Sequence, residues 1–358
     1  MTNTPNKTEC YILIEYMNSR MTDAFFPVLV YLGIAMALGT IGNFFVAYIY
    51  FYKFVESATH LFIVALSVCD FLACVVCIPI EIVMLHYSFT FRSDVMCRFI
   101  GAIVALVVIN SGMIVTIIAV DRYRLICQPL KPKFTVQDSK KLITLSIIAS
   151  FILSLPAAFV YSKQNRMVRE CGNIGEVCSF VTYLKGNAYP LIYYVVMAGI
   201  CSSLFILIMT LYGLIGMRIR EIYKIKKTKA IQLLEHSQVL TTSQNTSNNS
   251  RRSKVNLHAI TAVRKRALRP TRTNLILFII TVIWIVSYLP HFVGTFWRLF
   301  SEDFDNVASY KDQSLYHFLT FSYYINCTIN PYIYGLFSEQ FRIQLRQLFS
   351  KFFRFSNQ

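Results

Sequence analysis

Seven apolar segments, each about twenty residues or longer, recur along this chain, and the basic residues between them fall overwhelmingly on one side. A helix of that length crosses ~30 Å of hydrocarbon at ~1.5 Å per residue. In lipid every backbone amide must also be satisfied inside its own segment, so only helices and closed barrels span. The chain is therefore expected to be an all-α membrane protein, a seven-transmembrane helix bundle. Its spans fall near 25–51, 62–85, 97–120, 142–161, 190–215, 274–297 and 314–336. These segments are apolar all round rather than striped, which argues against a soluble helical protein.

Seven spans put the two termini on opposite sides. With the N-terminus placed outside, the inner pieces hold 25 Lys/Arg and 6 Asp/Glu, while the outer pieces, counting Arg98 at the outer end of the third span, hold 10 of each. Asp70 and Glu81 lie inside spans. The Lys/Arg bias orients the C-terminus toward the cytoplasm and the N-terminus outward, in a multi-pass plasma-membrane protein. It also accounts for the net charge of +17 without nucleic acid, because basic loops beside anionic lipid serve the same end.

The organisation expected is an extracellular segment 1–24, a bundle 25–336, and an amphipathic helix with a short tail over 337–358. The first 24 residues hold no apolar core, so the first span is expected to direct its own insertion. Asn6-Lys7-Thr8 is a glycosylation sequon on the outer face. The long loop 217–272 holds 14 Lys/Arg and two acids, with a polar tract from Thr241 to Ser253. Its flanks, Arg218 to Lys229 and Arg264 to Arg272, are placed to extend the fifth and sixth helices. Beyond the seventh span, Phe341, Leu345, Leu348, Phe349 and Phe352 recur at helical spacing, with Arg342, Arg346, Lys351 and Arg354 between them. That pattern is a basic eighth helix lying on the inner leaflet against membrane lipid.

Of the ten cysteines, Cys10, Cys97, Cys171 and Cys178 fall on the outer, oxidising side, and four cysteines allow three pairings. The pairing favoured joins Cys97 to Cys178, pinning the second outer loop to the top of the third helix. Cys10 then joins Cys171 and ties down the N-terminus. An exchange of the two loop cysteines between the bonds stays open.

Asp121-Arg122-Tyr123 closes the third span. Asn330-Pro331-Tyr332-Ile333-Tyr334 closes the seventh, matching Asn-Pro-x-x-Tyr. Gly42-Asn43 sits in the first and Leu66-x-x-x-Asp70 in the second. Four motifs in order, in four of seven spans, resemble the rhodopsin-like G-protein-coupled receptors over about residues 25–350. The physics of each motif is readable alone. An acid inside a span is expensive unless partnered or wet, which marks Asp70 as functional. Ser111, Asn326 and Asn330 lie at depths where they face it. The resemblance implies a sodium ion held by these four residues, against the plainer reading of a hydrogen-bonded polar cluster; no other cofactor is expected. Arg122 ends a helix, where a cation suits the dipole, and Asp121 can pair with it. The resemblance implies that Arg122, once freed, meets a heterotrimeric G-protein, with Leu130 plugging into it and arrestin as a second partner. It also counts Tyr123, Tyr212, Trp284, Tyr288, Pro290, Pro331 and Tyr334 among the activation residues. The acid that restrains the Arg in part of the family is absent: Pro270 stands there, beside Arg269 and Arg272, and measurable basal activity is expected.

Departures from the family are also informative. Ser287-Tyr288-Leu289-Pro290 replaces Cys-Trp-x-Pro, Ile147 and Leu204 stand where a Trp and a Pro are usual, and Trp284 faces the third-helix position of Gly112. Large Trp284 and small Gly112 are expected to compensate in volume.

The seventh span has no Lys, with Tyr324 at the retinal position, which excludes an opsin. Val104 replaces the acid that amine receptors need. A neuropeptide is the remaining class of choice, supported by a weak hint of the orexin and cholecystokinin receptors in Tyr288; the alternative is a lipid or other small non-amine ligand. Candidate ligand contacts are Glu81 for a basic group and Arg298 for a carboxylate. His291, Thr295, Tyr316, Thr320 and Tyr324 fall on the same helix faces. Ordinary bundle packing is the competing reading for each. No internal repeat suggests a transporter, and no nucleophile or metal motif suggests an enzyme.

Overall fold

The computed structural model describes residues 6–168, 171–180, 189–242, 272–301 and 308–355. Among these, six helices are long and apolar enough to cross a membrane: Phe26–Tyr52, Ala58–His86, Asp94–Cys127, Val136–Val160, Leu191–Ile225 and Leu275–Arg298. The seventh span is not one uninterrupted helix. Tyr310–Thr320 and Tyr324–Phe337 are joined by a 3-10 turn, Phe321–Tyr323. The bundle keeps polar side chains inside, among an apolar core, and presents apolar ones outside. Asn43, Asp70, Ser111, Asn326 and Asn330 are buried, whereas Ile41, Phe44, Phe151, Ile152, Val195 and Ile206 are exposed. Water would not tolerate that arrangement, and lipid selects it.

Local chemistry sets the helix ends. Ser57, Ser93 and Thr135 each accept a backbone N–H of the helix that follows, from His60 (3.3 Å), Met96 (3.2 Å) and Asp138 (3.1 Å). In the second span Pro79 has no N–H for the carbonyl of Val75, and the helix widens to a π-turn over Ala73–Cys77. The fifth helix, Tyr189–Thr242, runs through the basic flank Arg218–Lys229 without a break. Of the other flank, 264–271 lies outside the described residues, Pro270 with it. A terminal helix, Glu339–Phe355, follows the seventh span.

The sequence reading assigns no helix before residue 25, yet Lys7–Ala24 is helical. Its backbone opens with the Asn6 N–H donating to Glu9 Oε2 at 2.9 Å. One buried stripe, Cys10, Ile14, Met21, Phe25, Val28, Leu32, Ala35, Asn43, Val46 and Tyr50, crosses the break at Phe25 into the first span. Its steps of three and four residues, with seven from Ile14 to Met21 and eight from Ala35 to Asn43, are those of a single helical face. Asn18 pins the helix to the turn after the second span: its Nδ2 donates to His86 O at 2.9 Å, and its Oδ1 accepts from Phe89 N at 3.0 Å.

The loop between the fourth and fifth spans forms an antiparallel hairpin, β1 (Tyr161–Val168) and β2 (Gly172–Phe180), pairing Tyr161 with Phe180 and Lys163 with Cys178. Both disulfides follow the favoured pairing. Cys97–Cys178 has a Cα separation of 5.5 Å and Cys10–Cys171 one of 5.7 Å. The hairpin is thereby fixed to the third span and to the N-terminal helix at once.

Candidate functional site

At the disulfide end, the hairpin is stitched to the turn after the second span. Glu176 N donates to Phe89 O at 2.8 Å, and Phe91 N donates to Glu176 O at 2.9 Å. Arg166, which sequence reasoning passed over, is buried here. Its Nη2 donates to Gln313 Oε1 at 2.6 Å, its Nη1 to Ser88 O at 3.4 Å, and its guanidinium lies 4.3 Å from the Phe89 ring centre. One side chain thus ties the hairpin, the turn after the second span and the start of the seventh. Its basic, polar strand gives no sequence signal of burial.

Beneath this cap lie the candidate ligand contacts. Arg298 Nη2 donates to Ser179 Oγ at 2.9 Å, and its guanidinium sits 5.3 Å from the Tyr316 ring centre. His291 Nδ1 lies 2.7 Å from Thr320 O and donates to it. The hydroxyls of Thr295 and Thr320 turn back onto their own helices, to His291 O and Tyr316 O, at 2.9 Å each. The structure brings Arg298 to Tyr316 and His291 to Thr320. Glu81 is buried at 9% exposure. Tyr324 sits deeper than the rest, fully buried in the wall of the central cavity. Tyr161 was missed by sequence reasoning because the span read there, 142–161, takes it in as its last residue, whereas in the structure it opens the hairpin. A methyl group at Gly101 would lie 2.5 Å from its ring, so the missing side chain of Gly101 makes the room that Tyr161 fills.

The central cavity is lined by Asp70, Ser111, Tyr288, Tyr323, Tyr324 and Cys327, among others. Asn330 Nδ2 donates to Asp70 Oδ2 at 2.7 Å. Asp70 Oδ1, Ser111 Oγ, Asn326 Oδ1 and Asn330 Oδ1 have no hydrogen-bond partner among the described residues. Four buried, unsatisfied oxygens on the four residues read from the sequence form a hard-donor set that suits a small hard cation or ordered water. One turn away, the Trp284 and Tyr288 rings lie 4.7 Å apart. A Cβ on Gly112 would fall 3.3 Å from Trp284 Cζ2. Gly112→Ala is expected to be tolerated. Gly112→Ile is expected to push Trp284 off its rotamer and shift the signalling dose response by at least tenfold; an unchanged curve would show that the two do not share space.

Pro331 leaves the carbonyl of Cys327, four residues back, without its helical donor. Asn43 Nδ2 supplies one at 2.7 Å, and also donates to Gly39 O at 2.9 Å. At the end opposite the disulfides, Arg122 is buried and donates to Asp121 Oδ2 and Thr59 Oγ1. Thr59 Oγ1 in turn lies 3.4 Å from Asp121 Oδ2. Leu130 is fully exposed, and Tyr123 packs against the core. Tyr212 does not bond Arg122: its phenol donates to Leu277 O at 3.3 Å and accepts from Thr281 Oγ1 at 2.9 Å. Tyr334 is buried 5.5 Å from the Tyr50 ring, its hydroxyl unpartnered among the described residues.

Residues 42–334 match the family model of the 7 transmembrane receptor (rhodopsin family). The chain belongs to this family of seven-transmembrane receptors. The family is one of receptors, not of enzymes. Neuromedin-U receptor 2 of Rattus norvegicus is 23% identical to this receptor over 351 residues, 96% of this chain and 80% of that one. Prokineticin receptor 2 of Homo sapiens is 32% identical over a shorter stretch of 146 residues, 38% of either chain. The crystal structure of squid rhodopsin superposes with a TM-score of 0.66 over 92% of this receptor and 86% of that chain; at 18% identity this likeness shows the fold alone.

Proposed function

We propose that this receptor sits in the plasma membrane with its N-terminus outside, binds a peptide at the disulfide end, and activates heterotrimeric G-proteins at the Arg122 end. The observation that carries the reading is the family match over residues 42–334, joined to relatives named as receptors for neuromedin U and prokineticin. The excess of Lys/Arg on the inner pieces and the two disulfides at the opposite end support the sidedness. Asn6, exposed at the start of the N-terminal helix, is then placed to carry a glycan.

At the inner end, Arg122 is the group that meets the G-protein once Asp121 and Thr59 release it, and exposed Leu130 inserts beside it. Arrestin takes the same face. The terminal helix lies along the inner leaflet. In the core, Asp70, Ser111, Asn326 and Asn330 would hold a sodium ion; their unsatisfied oxygens fit a hard cation. Its charge, when bound, would offset the buried carboxylate and favour the resting arrangement. Pro331, with its freed carbonyl held by Asn43, lets the seventh helix bend and Tyr334 move.

The test is G-protein activation in cells expressing the receptor, challenged with a neuropeptide library that includes neuromedin U and prokineticin, with Arg122→Ala as control. A concentration-dependent response lost in Arg122→Ala is the expected result. Silence at good surface expression would transfer the reading to a lipid or other small non-amine ligand.

A further inference from the structure

We propose that the break at Phe321–Tyr323 is a hinge in the seventh span, clamped by Tyr31, His291 and Ser322, and that its release turns the inner half of that helix and starts signalling. This deepens the reading above and rests on it for the signalling step alone.

Nothing local demands the break. Phe321-Ser322-Tyr323 holds no proline or glycine, and Pro331 frees a carbonyl only at Cys327. A 3-10 turn makes poorer hydrogen bonds than an α-helix, so what keeps it must come from its neighbours. Three bonds between spans do so. Tyr31 of the first span donates its hydroxyl to Phe321 O at 3.0 Å. His291 of the sixth span donates from Nδ1 to Thr320 O at 2.7 Å. Buried Ser322, inside the turn, donates its hydroxyl to Ser287 O of the sixth span at 2.7 Å.

The clamp sets the phase of everything beyond it. A 3-10 turn winds about 120° and rises ~2.0 Å per residue, against about 100° and ~1.5 Å in an α-helix. Over three residues the difference is about 60° of rotation and ~1.5 Å of length. Side chains reach about 5–6 Å from a helix axis, so conversion of the break to α-helix would carry those of the inner half sideways by about as much. Asn330 lies in that half and donates to Asp70 Oδ2 at 2.7 Å, a bond such a turn breaks. The two halves also meet different neighbours at close approaches. A Cβ on Gly294 of the sixth span would stand 3.0 Å from Thr320 Cγ2, just before the break. A Cβ on Gly39 of the first span would stand 3.6 Å from Thr328 Cα, just after it. A shift of the sixth span against the first is therefore taken up between these two points. Tyr323, inside the break, lies 5.8 Å from the Tyr288 ring, which packs 4.7 Å from Trp284.

The experiment is a thermal double-mutant cycle on the purified full-length receptor. Tyr31→Phe keeps the ring and its contact with Phe318 (5.5 Å) and loses only the hydroxyl. Tyr31→Phe and Ser322→Ala are each expected to lower the melting midpoint by about 2–4 °C. In an Asn330→Ala background the same changes are expected to cost less than half as much, because the phase they guard no longer carries the Asp70 bond. Sites this far apart add when they are independent, so equal costs in the two backgrounds overturn the proposal, as does no cost in the wild type. Asp70→Ala removes the other half of the same bond and replaces Asn330→Ala where that variant does not fold. In cells, at equal surface expression, both clamp variants are expected to raise ligand-independent G-protein activation roughly threefold to tenfold above the wild type, read over the Arg122→Ala background. A wild type that signals, with clamp variants that signal no more, overturns the hinge. Thermal coupling with no signalling from any variant leaves the hinge standing and sinks the G-protein reading.

Discussion

Gly42→Val is expected to remove this receptor from the cell surface, whereas Gly33→Val in the same span leaves it there. The reason is a close approach of two helices at one point. A Cβ at position 42 would stand 2.7 Å from both Cβ and Cγ of Pro331. A proline ring cannot rotate away as a flexible side chain does, because it is closed on its own backbone. The backbone there is not free to yield either. Asn43, the next residue, holds the Cys327 carbonyl at 2.7 Å, so any shift of the seventh helix away from residue 42 breaks the bond that satisfies the proline-orphaned oxygen. Overpacking costs about 1–3 kcal/mol, and a buried unsatisfied carbonyl adds about 1–3 kcal/mol more, a sum comparable with much of a domain's whole stability. Around Gly33 there is nothing within 4 Å, so the same substitution meets only lipid. Surface labelling against total protein, with the melting temperature of the solubilised receptor, reads the contrast. Equal surface levels for the two variants would mean that the first and seventh spans separate at little cost.

The features legible in the sequence are those set by solvent and by local covalent chemistry. Apolar length gives the spans, and the buried acid Asp70 meets Asn330 because both are polar at one depth. Gly112 and Trp284 are readable as an exchange of volume, and the structure sets them 3.3 Å apart. Illegible were contacts whose partners lie far away in sequence and whose residues are polar or aromatic without period. The helix Lys7–Ala24 hides because Asn18, Ser19, Arg20 and Asp23 dilute its stripe. That stripe continues the phase of the first span, a signal that a search extended upstream of Phe25 would have found. Tyr161 and Arg166 take their places only through the hairpin register, and no sequence spacing fixes a register across the disulfides. The break in the seventh span at Phe321–Tyr323 has no proline or glycine to announce it. Nor does the sequence show that Tyr212 bonds Thr281 rather than Arg122.

At the other end, Thr59→Val is expected to raise ligand-independent G-protein activation several-fold, and Arg122→Ala to abolish activation with or without ligand. Among the described residues Arg122, which is buried, donates to Asp121 Oδ2 and Thr59 Oγ1, from the third and second spans. Of these, Asp121 is its neighbour in sequence and moves with it, so that pair does not by itself resist motion of the third helix against the second. Of the two, Thr59 lies on another helix. A hydrogen bond to a charged group contributes about 1.5–3 kcal/mol, and even half of that shifts a two-state equilibrium roughly three- to tenfold. Valine keeps the shape of threonine and removes the acceptor, so packing is preserved while the restraint is lost. The sixth helix is expected to add little restraint, because the residues by its base are Arg269, Pro270 and Arg272 and none is acidic. The wild type should therefore signal above the Arg122→Ala background even without ligand, and Thr59→Val should rise further. Basal signalling of the wild type equal to that of Arg122→Ala would show a second restraint on the arginine. An unaltered basal level in Thr59→Val, at equal surface expression, would show that the Thr59 bond does not restrain it.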